Sequence, residues 1–379
     1  MMKKLLCVLL CWALLPCFAA PVWAAPVTVP AESAVLMEKE TGTVLYAQNE
    51  HVPLAPASVT KVMTLLLVME AIDDGRLSYD DVLTASAYAA SMGGSQVYLE
   101  AGEQMTVEDL LKAVCVASGN DAAVCLAEGV AGSEEAFVAR MNERAAELGM
   151  EDTHFCNCTG LPAEGHLTSA YDIALMSRAL ILDHPDIRRF TTIWMDSLRG
   201  GEFQLANTNK LIHRYEGATG LKTGSTDEAL YCLSATAERE GMELIAAVMK
   251  APSSDERFAA AETLLTYGFA NYTLLAAGPD EVLPTIPVAM GEKDRVQPVY
   301  AEGAHILVSK TQAAGAEKDI SLESAVSAPV RRGQQLGTLT VTSGGEVLAT
   351  LPLVAGETVE RLTYWEIAQK ILRSSLFVS

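Results

Sequence analysis

The sequence predicts an α/β (α+β) domain with helices on the faces of a sheet, then a small all-β sandwich, then a C-terminal amphipathic helix. Three observations carry that expectation. Apolar strand runs stand at both ends of the stretch 33–249, with helical periodicities between them, as when a sheet is covered by helices. After about Tyr272, helical periodicity gives way to short β-rich runs punctuated by Pro and Gly. From Glu357 onward, Val359, Leu362, Trp365, Ala368, Ile371, Leu372 and Leu376 recur at steps of three and four.

The chain opens on Met1-Met2-Lys3-Lys4, followed by an apolar run from Leu5 to Ala20 and by Val22-Trp23-Ala24. Basic start, apolar run and small-residue cut site read as a secretory signal peptide over 1–24, cleaved after Ala24. Ser33 to Gln48 reads as a hairpin turning at Glu40-Thr41-Gly42. From Ser58 to Ile72, apolar residues occupy nearly the whole helical circumference, which predicts a helix inside the core, ended by Asp73-Asp74-Gly75. Thr106 caps a second helix with Glu108 and Asp109 in its first turn. Helical signals recur at Asp121–Val130, Ser133–Leu148 and Ser169–Leu182, with an irregular stretch from His154 to Leu167.

Glu216 to Gly224 leads into two apolar strands, Leu230–Thr236 and Glu243–Met249, and Glu256–Tyr272 reads as a long helix. The first domain is placed at 25–275. The β module follows at 276–356, carried by Val282–Val288, His305–Lys310, Gln335–Thr342 and Val347–Val354. The segment 357–379 has the length and aromatic stripe of a helix that lies in a membrane interface.

Composition removes some function classes. The 379 residues carry 27 basic and 48 acidic side chains, a net charge of −21, and a nucleic-acid binder needs the opposite balance. Without the signal's two lysines the charge is about −23, so a terminal anchor would work by apolar burial more than by lysine attraction to anionic lipid. Half the residues are hydrophobic, which excludes wholesale disorder. Cys115, Cys125, Cys156, Cys158 and Cys232 remain after signal removal, an odd number that leaves at least one thiol unpaired. Cys156-Asn157-Cys158 lacks zinc-knuckle spacing, so no metal site is expected.

Three short motifs carry chemistry. Ser58-Val59-Thr60-Lys61 places a hydroxyl and an amine within one helical turn. A serine hydroxyl is a weak nucleophile until a base takes its proton, and a lysine can be that base only if burial lowers its pKa. Lys61 is also a charge in a helix otherwise apolar all round, more than an N-cap serine with a surface lysine would require. Ser118-Gly119-Asn120 stands between two apolar runs, where it can cap a helix or serve as a proton relay (Ser118) and a hydrogen-bond partner for a substrate amide (Asn120). Lys222-Thr223-Gly224 opens the late strands. It can be an ordinary strand start, or an edge strand offering a cation, a hydroxyl and room for close backbone approach.

Taken singly each motif is weak, but their order is not. Ser118 follows Ser58 by 60 residues and Lys222 follows Ser118 by 104, and none of the three motifs recurs. The set resembles the active-site serine penicillin-recognising enzymes, whose motif trio is a known signature. Ala57–Thr64, Val116–Ala123, Gly160-Leu161-Pro162 with His166, Ala170-Tyr171-Asp172, Thr208–Leu211 and Gly220–Gly224 narrow the resemblance to the low-molecular-mass D-alanyl-D-alanine carboxypeptidases, over roughly 30–275.

That resemblance implies a serine β-lactamase/transpeptidase-like catalytic domain with no metal or organic cofactor. Ser58 would attack the carbonyl between the two terminal D-alanines of a peptidoglycan stem peptide, with Lys61 as base and Ser118 passing the proton to the leaving amine. Backbone N–H groups at Ser58 and near Thr226 would hold the oxyanion, and Lys222 and Thr223 the terminal carboxylate. β-Lactams would acylate Ser58, and the enzyme would act outside the cytoplasmic membrane, held peripherally by its last helix. The sequence departs from the family at Leu230, where many relatives have glycine, and at Ser225, which replaces a larger residue. Arg257 could assist the carboxylate, although pairing on the helix surface near Asp255 is the simpler expectation.

Three other readings share these motifs. A class A β-lactamase needs a Glu-x-x-Leu-Asn loop, echoed only partly by Glu164 to Thr168. D,D-endopeptidase or transpeptidase action would use the same residues, and a non-catalytic penicillin-binding wall protein would use them for binding alone.

Overall fold

The computed structural model describes residues 27–276, 282–300 and 305–369. The signal segment expected at 1–24 lies outside them, as do residues 370–379. In chain order the main elements of the first domain are β1 (Ser33–Glu38), β2 (Val44–Gln48), α1 (Lys61–Asp73), α2 (Val107–Ala117), α3 (Asn120–Ala131), α4 (Glu134–Glu147), α5 (Ala170–Asp183), β3 (Met195–Leu198), β4 (Phe203–Ala206), β5 (Ala218–Thr226), β6 (Leu230–Arg239), β7 (Met242–Ala251) and α6 (Ser254–Asn271).

Five strands form an antiparallel sheet in the order β2-β1-β7-β6-β5. Side chains alternate across a strand, so Val35 and Met37 face one core while Ala34 and Leu36 face the other. The first core packs β1 and β7 against α1, α2, α3 and α5, and the second packs the opposite face against Phe258, Leu264, Leu265 and Phe269 of α6. Burial on both faces explains why β6 and β7 read as continuous apolar runs. The expected hairpin is β1–β2, its turn closed by the buried Glu38 carboxylate, which accepts from Glu40 N, Thr41 N and Thr41 Oγ1. In α1, ten of thirteen residues are buried, as an all-round apolar helix requires.

The helix expected from Ser58 begins differently. Ala57–Thr60 forms a 3₁₀ turn with Ala57 at φ +49, and regular α-helix starts at Lys61. The second module is β-rich as expected. A four-stranded sheet runs Pro298–Tyr300, Glu346–Ala355, Gln335–Ser343, Ala316–Leu322, and Tyr272–Ala276 pairs with His305–Ser309. One short helix interrupts it, Lys310–Ala314, started by a Ser309/Gln312 capping box that the β pattern masked.

The terminal helix requires a correction. Residues 357–362 are not helical. Val359 bridges to Val330 and is 1% exposed in the β module's core, and Arg361 bridges to Gly291. The apolar period had counted a core side chain as part of the helical stripe. Helix occupies 364–369, capped by Thr363, with Tyr364 and Trp365 exposed.

Candidate active site

The nucleophile turn, the end of α2 and the edge strand β5 converge on Lys61. Its amine is wholly buried, with Nζ 3.0 Å from Ser58 Oγ, 2.5 Å from Asn120 Oδ1 and 2.7 Å from Thr159 O. Burial is the main cause that holds its pKa well below the usual lysine value, and the nearby Lys222 charge adds to it. A neutral amine has two N–H groups and one lone pair. Asn120 Oδ1 and Thr159 O can accept only N–H, so they occupy both and leave the lone pair for the Ser58 proton.

Asn120 is fixed in turn. Its Nδ2 donates to Gly93 O at 2.7 Å and its backbone N to Ser95 O at 2.7 Å. The sequence suggested a substrate amide as its partner. In the structure its carbonyl oxygen is already committed to Lys61. Ser118 ends α2 at φ +63, and its buried Oγ has no hydrogen-bond partner among the described residues. An orphaned buried hydroxyl costs roughly 1–3 kcal/mol.

Lys222 and Thr223 lie in β5, whose outer edge pairs with no other strand among the described residues. Lys222 Nζ is buried and donates to Thr223 O at 3.0 Å. Burial pushes its pKa down to about 7, with Cys115 opposing the shift and the Arg257 charge adding to it. Thr223 Oγ1 donates to Thr208 Oγ1 at 2.8 Å. Thr226 ends the strand, where its Oγ1 accepts from Ala229 N at 3.0 Å.

Gly224 is required by close approach. A Cβ there would lie 2.7 Å from Pro56 O and 2.9 Å from Ser58 N. We therefore expect Gly224→Ala to crowd the Ser58 N–H and lower the acylation rate about 10²–10³-fold, the loss typical of one oxyanion donor. Stopped-flow acylation by a fluorescent penicillin checks this.

Arg257 is corrected. It is 7% exposed, and its Nη1 donates to Gly224 O at 3.0 Å and Cys232 O at 3.3 Å. Surface pairing near Asp255 was the simpler expectation, but α6 lies against the sheet and turns that side chain inward behind β5. Arg257 and, below about pH 7, Lys222 thus make the site locally cationic beside a neutral Lys61, in a chain of net charge −21. Leu230 sits at φ +49, the conformation that favours glycine, which accounts for the family residue there.

Sequence reasoning assigned no role to Thr159, Gly160 or Asp121. Thr159 acts through a backbone carbonyl, which leaves no trace in side-chain type. Asp121 is buried, and its carboxylate accepts from Val97 N, Leu99 N and Ala122 N. His166 anchors the irregular stretch. Its Nδ1 accepts from Cys156 N at 2.9 Å, so Nε2–H donates to Thr60 Oγ1 at 2.8 Å. Burial lowers its pKa to about 4, which keeps it neutral. Glu164 is exposed, and the groups bonded to Lys61 do not include it. Cys115, Cys125, Cys158 and Cys232 are buried free thiols, while Cys156 is free and exposed.

Residues 20–253 match the family model described as D-alanyl-D-alanine carboxypeptidase, and residues 269–361 match that of the penicillin-binding protein 5 C-terminal domain. The chain is 43% identical to the D-alanyl-D-alanine carboxypeptidase DacF of Bacillus subtilis, over 95% of each chain. It is similar to penicillin-binding protein 5 of Haemophilus influenzae, with TM-score 0.76 and 28% identity over 89% of this chain and 100% of that one. It is also similar to the ampicillin-bound penicillin-binding protein D2 of Listeria monocytogenes, with TM-score 0.57 and 34% identity over 65% of this chain and 100% of that one.

Proposed function

This chain belongs to the D-alanyl-D-alanine carboxypeptidase family, a hydrolase that removes the terminal D-alanine, and from that premise we propose how its own residues perform the cleavage. The observation that carries the assignment is the Lys61 amine, dry, with two N–H groups taken and its third direction 3.0 Å from Ser58 Oγ. Ser58 Oγ attacks the carbonyl between the two terminal D-alanines of a peptidoglycan stem pentapeptide. Lys61 Nζ takes the hydroxyl proton, and the carbonyl oxygen gathers charge against the Ser58 N–H and an N–H near Thr226. The unpartnered Ser118 hydroxyl relays a proton to the leaving amine, and D-alanine departs. Lys222, Thr223 and Arg257 neutralise the substrate's terminal carboxylate, while Asn120 positions Lys61. Water then attacks the acyl-serine, the proton returning through Lys61.

β-Lactams would acylate the same serine, a reading supported by the ampicillin-bound form of the similar Listeria protein. The arrangement of Ser58, Asn120 and Thr159 around the buried Lys61 amine supports catalysis over a purely binding role, and exposed Glu164 gives no support to a β-lactamase. Mass spectrometry of a stem pentapeptide after incubation tests the reading: loss of one alanine is expected, whereas peptide transfer would make the enzyme a transpeptidase. Ser58→Ala should abolish both alanine release and covalent penicillin labelling. Alanine release by that variant would overturn the nucleophile assignment.

We place the enzyme outside the cytoplasmic membrane, exported by the segment 1–24 and held peripherally by the terminal helix. Tyr364 and Trp365 support the anchor, being 95% and 72% exposed at the start of that helix. Among the described residues no helix is long and apolar enough to cross a membrane. Truncation after Thr363 keeps Val359 in its core and should move the protein from the membrane fraction to the soluble one. Unchanged membrane association would contradict the anchor.

A further inference from the structure

The irregular stretch from His154 to Leu167 is held to the nucleophile turn by a closed circuit of hydrogen bonds. Lys61 Nζ donates to Thr159 O at 2.7 Å. Asn157 closes the turn that leads there, its Oδ1 accepting from Thr159 N at 3.1 Å and from Gly160 N at 2.7 Å. One residue before Asn157, the Cys156 N–H donates to His166 Nδ1 at 2.9 Å. An Nδ1 that accepts leaves the ring proton on Nε2, and Nε2 donates to Thr60 Oγ1 at 2.8 Å. Thr60 stands directly before Lys61 and two residues after Ser58. The circuit thus starts and ends on the turn that carries both reacting side chains, and His166 joins its two halves.

Folding of the stretch has other supports. His154 and Leu167 exchange two backbone bonds, of 2.9 and 3.1 Å, that close its neck. Asn142 of α4 holds both backbone groups of Phe155, each at 2.9 Å. The Phe155 ring meets the imidazole edge-on with centroids 5.8 Å apart, a place that an apolar side chain could fill without burying polar nitrogens. The position instead carries a rigid ring with one acceptor and one donor, 4% exposed, its donor aimed at a wholly buried threonine.

We propose that His166 is a positioning residue for the base: through Thr60 it pins the Thr159 segment over Lys61, which keeps water off the amine and keeps Thr159 O on one of its N–H groups. This rests on the reading of Lys61 as the base. Untied, the segment lifts and water reaches Nζ. The amine then holds its proton to higher pH, because burial is the main cause that releases it. Lys222 faces Nζ from β5 and Asp121 from α3, and both stay in place whether or not the segment is tied. Cys158 faces it from the stretch itself, as a thiol that burial keeps neutral. Burial, and after it the His154 charge, lowers the pKa of His166 to about 4, so the ring stays neutral where Lys61 titrates.

The test follows acylation by a fluorescent penicillin, and the ¹⁵N resonance of Lys61 Nζ, from about pH 6 to about pH 10. His166→Ala and Thr60→Val should each raise both midpoints by about one pH unit. Each variant is then about tenfold slower than native below the native midpoint and within about threefold of it near pH 10. Valine keeps the shape of threonine, so Thr60→Val decides the matter if His166→Ala is too unstable to assay. His166→Gln, whose Nε2 can still donate to Thr60 Oγ1, should recover most of the shift. Both single variants cut the same link, so the double variant should move no further than either. An Nζ titration that stays native in either folded variant overturns the proposal, however slow that variant is. Nζ titrating higher while acylation ignores that titration, in native and variants alike, would uphold the tie and strike the base assignment instead.

Discussion

Lys61→Met will fold and will lose roughly 10²–10⁴-fold in the rate of Ser58 acylation, the range expected when a general base is removed. Methionine matches the lysine stem in volume. The change strips donors from Asn120 Oδ1 and Thr159 O, which costs about 1–3 kcal/mol for each orphaned acceptor. It also removes a buried amine whose desolvation opposes folding, and the two effects largely offset each other. Stopped-flow labelling with a fluorescent penicillin reads the rate, and a thermal melt reads the stability. Lys61→Arg is the informative partner. It brings in a cation that cannot give up its proton, so it should be as slow as Lys61→Met. An active arginine variant would mean that the site needs positive charge rather than a base.

Gly160→Ala is expected to damage folding and chemistry together. Gly160 has φ +82, and a Cβ there would lie 1.8 Å from Ala57 O and 2.9 Å from Ser58 N. The contact is with backbone, so no side chain can swing away. Either the Thr159–Leu161 segment or the nucleophile turn must shift by more than an ångström. Overpacking of this kind costs about 3 kcal/mol, and misplacing a reacting group by about 1 Å costs about 10²-fold in rate. A fall in the melting transition together with a slow acylation is the expected pair. A stable variant with native kinetics would show that the Gly160 segment does not brace Ser58.

The parts legible in the sequence were those written in side-chain type and period. Continuous apolar runs, buried on both faces, made β6 and β7 readable, and the all-round apolar pattern of α1 showed that its lysine had to be dry. Ser58, Lys61, Ser118 and Lys222 could be singled out because motif order constrains them jointly, and the structure brings Ser58 and Asn120 together on Lys61. What was not legible acts through the backbone or through packing of distant elements. Thr159 contributes a carbonyl, and Gly160 contributes only the absence of a side chain. Arg257 was expected at the surface because a neighbouring acid cannot say which side of α6 meets the sheet. Val359 was misassigned for a related reason: a residue every third or fourth position fits a helical stripe equally well when one member belongs to a strand bridge.

The account stands on the protonation state of one buried amine, and that state can be observed. Selective ¹⁵N labelling of lysine, with Lys61→Met to assign the signal, allows the Lys61 Nζ resonance to be followed as pH is raised. Burial and the Lys222 charge predict that this amine loses its proton well below the usual lysine value of 10.5. Because only the neutral form can accept the Ser58 proton, acylation should rise with pH along the same curve and fade below it. A Lys61 that keeps its proton up to about pH 10, while the enzyme acylates at full rate beneath it, would contradict the mechanism.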